Sequence, residues 1–571
     1  MRGPRIPSRH VRPRGTHPLR PTERGSLIPR APWPEWTLVH LVRRQAAEQG
    51  DRPFVRFEDG QAFTFRSLDR WTDELAGSLA ALGVRAGDRV LGLIGNRAES
   101  IGMLFAAVKL GAVWVPLNTG LRGAFLQHQL HNAEPRVVLV EDCLAPNLSD
   151  VAVAAAPVSP EAVVIVGDPT TPTPACLSGA RRLMFSELRA LRRPADLALV
   201  TPVPGDVAMI MYTSGTTGPA QGVLMPHAHC YVAGLGSAEA TGLTTTDRYF
   251  VCMPLFHANA LLMQLIGSLI AGAGVVVTER FRATTWLEEV RASQATVTNG
   301  LGVIPEFIFR QPPTERDRDH RLRLMMAIPI AEEWGSAFEE RFGMPFLQGF
   351  GMTECNIVAY TRPGDPLVPG CAGYPLAEWF EVGVVDPDSD APAPRGQIGE
   401  IVVRPKVPGC IMAGYFRMPD KTVEAWRNLW FHTGDAGRLD DLGRLYYVDR
   451  IKDCIRRRGE NISSFEIEQV LNAHPAVAES AVVGIKVAGA GGEDEVKAYV
   501  VLAPGTTLDP VKLLDWCTPR MPHFAVPRFV EVVAGELAKT PTGKLQKKPL
   551  REAGITAATW DRESAGYVVR R

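Results

Sequence analysis

Tyr212-Thr-Ser-Gly-Thr-Thr-Gly-Pro-Ala-Gln-Gly-Val223 is the stretch whose reading decides the fold and the chemistry of this chain. A short apolar run, Val207 to Met211, leads into it and reads as a buried strand. Hydroxyls follow at Thr213, Ser214, Thr216 and Thr217, with glycines at Gly215, Gly218 and Gly222. Glycine lets a backbone turn tightly and approach a ligand closely. Successive N–H groups in such a turn form a concave anion site, to which the hydroxyls add donors. Taken alone, the stretch also reads as a polar turn between two strands. It is not the Walker pattern, since no Gly-Lys-Ser/Thr follows its last glycine.

Outward from this loop the chain alternates in period. Phe65 to Leu82 carries apolar residues at helical spacing, Asp88 to Asn96 reads as a charged turn and a buried strand, Glu99 to Leu110 is helical, and Val113 to Asn118 is strand again. This alternation predicts βαβ units and a parallel sheet, and a second such series runs from about 248 to 350. Residues 158–205, rich in Pro and Thr, predict loops, and residues 370–448 predict short strands and turns. Beyond a boundary near 449–453 lies a compact α+β pattern, with helices over Ser464–His474 and Pro510–Cys517 and strands over Ala478–Ile485, Val496–Leu502 and Phe529–Val533. The expected fold is therefore α/β. A large N-terminal domain of stacked βαβ subdomains with a β-rich subdomain spans 36–449, a hinge 450–453, and a small mobile α+β domain 454–571. Residues 1–35, Arg- and Pro-rich with only two acids, Glu23 and Glu35, predict a disordered basic extension.

At 571 residues, several domains or subdomains are expected. Lys+Arg and Asp+Glu are equal at 62 each, so no net field draws in nucleic acid or an acidic membrane. The nine cysteines include no C-x-x-C pair, which fits a reducing, cytoplasmic compartment and argues against a structural zinc site. The most apolar stretch, Leu261 to Val277, is broken by Gln264, Ser268 and three glycines, so it reads as a buried helix turning into a strand rather than a membrane span.

Four further signals carry chemistry. In Gly349-Phe-Gly-Met-Thr-Glu354 the glycines leave room for a flat group against Phe350, Thr353 offers a hydroxyl to a phosphate, and Glu354 offers a hard oxygen to Mg²⁺. Phe431-His-Thr-Gly-Asp435 reads as a turn before a strand, its carboxylate able to accept both hydroxyls of a ribose. Asp449-Arg-Ile-Lys-Asp-Cys-Ile-Arg-Arg-Arg-Gly-Glu-Asn461 lies at the boundary, and Lys539-Thr-Pro-Thr-Gly-Lys544 lies on a loop near the C-terminus. His227-Ala-His-Cys230 has the look of a metal cluster but lacks partner ligands at metal spacing.

In this order and spacing the five signals resemble the adenylate-forming superfamily of acyl-CoA synthetases, luciferases and nonribosomal adenylation domains, over about residues 36–560. Leu117-Asn-Thr-Gly-Leu-Arg-Gly, Ile455-Arg-Arg-Arg-Gly-Glu-Asn-Ile-Ser and Phe431-His-Thr-Gly-Asp are most similar to the carnitine/crotonobetaine-CoA ligase-like branch. The resemblance implies that Thr213, Ser214, Gly215, Thr216, Thr217, Gly218 and Gln221 hold the phosphates of ATP. It implies that Phe350 stacks on adenine, Thr353 meets the α-phosphate, Glu354 ligates Mg²⁺, and Asp435 with Arg450 holds the ribose. Lys452 is implied as hinge, Lys544 as catalytic lysine, His257 as gate of the acid pocket, Asn299, Gly300 and Gly302 as its lining, and Gly459 as contact to coenzyme A.

The implied reaction activates a small organic acid as its adenylate, releases pyrophosphate and passes the acyl group to coenzyme A. Three departures stand out. Gln221 replaces the usual lysine of Gly-x-Pro-Lys-Gly, removing a charge beside the β/γ-phosphates. Ile328, in Met326-Ala-Ile-Pro329, stands where small residues form the adenine wall, and Asp449 stands where Gly is common. These leave open ATP-dependent activation of nitrite for diazotising an aromatic amine, loading of a carrier protein, or a nucleotide-binding pseudo-ligase.

Overall fold

The computed structural model describes residues 28, 30–148, 151, 159–213, 220–301, 304–328, 330, 332–451, 455–457, 460–462, 464–487, 494–521, 525–539 and 545–569. Its first sheet has the order Gly414–Tyr415, Gln221–Pro226, Val207–Thr213, Val113–Pro116, Arg89–Leu93, Val137–Glu141, Ala162–Val166, Arg181–Met184. Pairing is parallel from Val207–Thr213 to Arg181–Met184 and antiparallel on the other side. Strands such as Ala162–Val166 are buried along their whole length, as a parallel sheet covered on both faces requires. Of residues 158–205, expected to be loop-heavy, the described ones are mostly loop but also hold the two short strands 162–166 and 181–184. The Pro and Thr residues there connect two outer strands, and short strands leave little periodic signal.

The second sheet is ordered Phe346–Leu347, Leu324–Ile328, Val297–Leu301, Arg248–Val251, Gly274–Val277, Pro53–Phe57, Ala62–Thr64. It is parallel except for its last pair. One apolar core joins strands of both sheets to the helices Leu38–Gln49, Phe65–Ala81, Ala98–Lys109 and His227–Thr241. Phe65–Ala81 begins at a capping box between Thr64 and Ser67 and buries Phe65, Leu68, Trp71, Leu75 and Leu79 on one stripe. Every residue of Ala98–Lys109 is buried. Lys109 tolerates this because its ammonium is held by Asp69, Thr72 and Asp73 at 2.6–2.8 Å. The stretch expected as a buried helix is a π-helix over Asn259–Ile266, then an α-helical turn, Gly267–Ala271, and a strand, Gly274–Val277.

A third, antiparallel sheet runs Gly349–Met352, Asn356–Tyr360, Cys371–Pro375, Leu445–Arg450, Trp430–Leu439, Gly399–Pro405, Phe380–Val385. Phe431–Asp435, expected as a turn before a strand, lies inside Trp430–Leu439. Its Gly434 adopts φ +68° within the strand, which glycine permits without strain.

Beyond residue 454, the strands Val477–Lys486, Asp494–Leu502, Phe529–Val532 and Trp560–Asp561 form a sheet packed with the helices Ser464–Asn472 and Pro510–Cys517. Asp449 gains a reason here. Its Oδ2 accepts the backbone N–H groups of Ser464 at 2.8 Å and Phe465 at 3.3 Å, together with the Ser464 hydroxyl, at the start of the helix Ser464–Asn472. A carboxylate at a helix N-terminus satisfies orphan donors and the dipole at once.

The expected extension, residues 1–35, is partly built into the fold. Arg30 pairs with Glu239 and Glu378 and lies 5.1 Å over the Trp379 ring, and the Trp33 indole donates to Pro408 O at 3.2 Å. Residues 1–27 and 29 lie outside the described residues. Among the described residues no helix is long and apolar enough to cross a membrane.

Candidate active site

The strands Val207–Thr213 and Gln221–Pro226 are antiparallel neighbours, with Thr213 opposite Gln221. The loop residues Ser214, Gly215, Thr216, Thr217 and Gly218 lie outside the described residues. Gly222 serves packing rather than ligand approach. A Cβ there would lie 2.8 Å from Ile210 Cγ2.

Glu354 follows the strand Gly349–Met352 and is 5 % exposed. The Thr213 hydroxyl donates to its Oε1 at 3.0 Å, and the Tyr415 hydroxyl donates to the same oxygen at 3.4 Å. Tyr415 sits on Gly414–Tyr415, which extends the loop hairpin by pairing with Val223. Burial pushes the Glu354 carboxyl up. The hydrogen bonds from Thr213 and Tyr415 and the charge of Arg450 oppose that shift without cancelling it. A buried carboxylate short of positive charge suits a hard cation. Among the described residues the one group of three or more His, Cys, Asp or Glu at metal-ligand spacing is Glu141, Asp142 and Cys143. Glu354 therefore fits a Mg²⁺ ion that draws its other ligands from phosphate and water, as that ion prefers.

Asp435 and Arg450 are register partners on adjacent strands, with Arg450 Nε 2.9 Å from Asp435 Oδ1. Arg450 also donates to Thr433 O at 3.4 Å. The strand carrying Asp435 is fastened by Glu400, which contacts His432 Nδ1 at 2.8 Å and accepts Gly434 N–H at 3.0 Å. The buried Cys355 thiol is pushed up by burial and further by Glu354 and Asp435, which sets both carboxylates near it. Thr213, Glu354, Asp435 and Arg450 thus gather from four strands or strand ends. Thr353, half-buried, lies in the turn beside them.

Phe350 is almost wholly buried and its ring stacks on Tyr447, with centroids 5.9 Å apart. The expectation that the neighbouring glycines leave room for a flat ligand is corrected. A Cβ on Gly349 would lie 2.8 Å from Ala359 O, and one on Gly351 would lie 2.2 Å from Asn356 O. These glycines admit the partner strand.

On the second sheet, Asn299 is central in Val297–Leu301, Gly300 follows it, and Ile328 ends Leu324–Ile328, with Asn299 opposite Met326 and Leu301 opposite Ile328. Asn299 and Gly300 face opposite ways, as strand alternation dictates. Gly300 meets Pro305, whose Cγ would be 2.7 Å from an added Cβ. His257 is half-buried, just ahead of the π-helix, and its Nδ1 accepts Asn259 N–H at 3.5 Å. His227 and His229 are buried and neutral, with burial lowering their pKa to about 3 and about 4, which fits core positions. Gly302, Lys452, Gly459 and Lys544 lie outside the described residues. Sequence reasoning missed Tyr415, Tyr447 and Glu400, because a tyrosine or glutamate on a β-strand carries no motif of its own.

An α/β body in which the end of a parallel-sheet strand, at Thr213, meets a buried carboxylate and an ion pair fits a nucleotide-binding enzyme class. The chain belongs to the AMP-binding enzyme family of AMP-forming acid–CoA ligases. The profile described as AMP-binding enzyme matches residues 42–416, and that of the AMP-binding enzyme C-terminal domain matches 466–544. The chain is 33% identical over 527 residues to a crotonobetaine/carnitine–CoA ligase of Salmonella heidelberg strain SL476, covering 89% of this chain and 97% of the relative. The Salmonella typhi enzyme of the same name is also 33% identical, over 526 residues, with the same two shares. Among solved structures, the anthranilate CoA ligase AuaEII in complex with anthranoyl-AMP superposes with a TM-score of 0.79 at 26% identity, covering 92% of this chain and 98% of that one. ATP-bound MatB from Rhodopseudomonas palustris gives 0.77 at 26% identity, covering 90% and 98%.

Proposed function

We propose that this chain activates a small organic acid with ATP as its acyl-adenylate and transfers the acyl group to coenzyme A. The observation that carries this reading is the meeting of Thr213, Glu354, Arg450 and Asp435 beside the carboxyl ends of a parallel sheet. The body of the chain supplies binding and orientation. Asp435, held by Arg450, accepts the ribose hydroxyls. Thr213 and Tyr415 fix one oxygen of Glu354, and this carboxylate would hold Mg²⁺, which when bound would supply positive charge to offset that of the leaving pyrophosphate.

A carboxylate oxygen of the acid attacks the α-phosphorus and pyrophosphate leaves. Two anions meet in that step, and Lys544 bridges them and offsets charge on the pentavalent transition state. The thiol of coenzyme A, losing its proton, then attacks the acyl carbonyl and AMP departs. A mixed anhydride needs protection from water between the steps. We assign that role to rotation of the C-terminal domain about Lys452, with Gly459 brought to the coenzyme A arm. The reaction belongs in the cytoplasm, where both co-substrates are made.

The test is a screen for pyrophosphate release across carboxylic acids, with and without coenzyme A. At least one acid should give ATP–pyrophosphate exchange alone and a thioester when coenzyme A is added, and Lys544→Ala should abolish the exchange. Nucleotide binding without exchange for any acid would refute the proposal.

A further inference from the structure

Asn259 opens the π-helix Asn259–Ile266, in which every residue is buried. A widened turn of this kind is rare and concentrates at functional sites. The Asn259 side chain is fixed in one sense. Its Oδ1 accepts from Gln264 Nε2 at 2.8 Å and from Asn299 Nδ2 at 2.9 Å. Asn299 turns its amino group that way because its own Oδ1 takes the Tyr249 hydroxyl at 2.6 Å. With Oδ1 filled, the amino group is the remaining polar part of Asn259, and no described residue accepts from it. Gln264 Oε1 beside it is wholly buried without a partner among the described residues, whereas the Asn259 amino group is not among such atoms and is open to a ligand acceptor.

The sheet register gives the place. Asn299 lies opposite Met326, and Met326 lies opposite Leu347, across three adjacent parallel strands, with Asn299 and Met326 in mid-strand and Leu347 at the end of its own. The last of these is followed by the strand Gly349–Met352 and then by the turn that bears Glu354. Met263, Met326, Leu347 and Tyr360 form an apolar cluster there. None of Asn259, Gln264, Asn299 and Tyr249 is charged at neutral pH, so a second ionised group on the acid would be buried without a counter-ion.

We propose that Asn259 selects the acid by donating an N–H to an uncharged acceptor oxygen in its acyl part, a keto, ether, hydroxyl or amide oxygen. Gln264 and Asn299 are positioning residues that hold the amide. This rests on the ligase reading and names the substrate class of that site.

The test uses the full-length enzyme and matched acids in which one CH₂ is replaced by an ether oxygen, such as methoxyacetate against butyrate and 3-methoxypropionate against pentanoate, with methoxybenzoates against ethylbenzoates. The readout is the ratio of kcat/KM for pyrophosphate release within each pair. At one chain position the ether should win by about tenfold, the worth of one hydrogen bond. Asn259→Leu should bring that ratio to one or below, and Gln264→Leu should lower it part of the way. Each ratio is taken within one preparation, so loss of folded protein cancels. Equal rates for ethers and hydrocarbons throughout, a preference only for primary amines, or an unchanged ratio in Asn259→Leu would overturn the inference while the ligase reading stands. Release with none of the acids would overturn both.

Discussion

Thr213 and Glu354, 141 positions apart in the chain, meet through a 3.0 Å hydrogen bond that ties the end of the strand Val207–Thr213 to the turn after Gly349–Met352. The bond works against burial, which disfavours the Glu354 carboxylate. Thr213→Val should therefore raise the Mg²⁺ concentration needed for half-maximal rate and lower kcat/KM for ATP about tenfold, the effect of one lost hydrogen bond to a charged group. Glu354→Gln should cost roughly a hundredfold or more, by analogy with loss of one transition-state stabiliser. Steady-state kinetics over a Mg²⁺ titration reads both.

The Asp435–Arg450 pair has one buried and one partly exposed member. Asp435→Asn leaves the guanidinium without its carboxylate and weakens ribose recognition. Expected are a higher KM for ATP with kcat less affected, and a stability loss of about 1–3 kcal/mol, read by urea unfolding.

Glu468 is buried, and burial pushes its carboxyl up to about 7 despite Lys547 Nζ at 2.9 Å. The folded form thus holds its proton more tightly than the unfolded chain does. That contribution to stability is fully present below the ordinary Glu value and is lost as pH rises through about 7. Glu468→Gln should flatten this part of the profile. Thermal midpoints of wild type and variant, compared between pH 5 and pH 8, should diverge on the alkaline side in favour of the variant.

Gln221 faces Thr213 across the hairpin. Gln221→Lys restores a positive charge beside the phosphates and should lower KM for ATP about fivefold, with the gain shrinking as salt rises. An unchanged KM at low salt would place residue 221 away from the phosphates.

The fold was legible where pattern and length agreed. The helices Glu332–Phe342 and Pro510–Cys517 match the spacing of their apolar residues. Phe431–Asp435 was not legible as strand, because Gly434 at φ +68° looks like a turn signal, whereas the pairing with Gly399–Pro405 resumes past a bulge there. The glycines around Phe350 were read as space for a ligand, whereas only distances reveal that Asn356 O fills it. Glu354, Asp435 and Arg450, singled out through motifs, lie near one another in the fold. Tyr415 and Glu400 act by contacts 61 and 32 positions apart, which no local pattern encodes.

The most direct test of acyl-adenylate chemistry follows the oxygen. With an acid carrying ¹⁸O in both carboxylate positions, attack on the α-phosphorus leaves one labelled oxygen in AMP once the thioester forms. Mass spectrometry of the products should show AMP with a single ¹⁸O and unlabelled pyrophosphate. Unlabelled AMP, or label in orthophosphate beside ADP, would contradict the account.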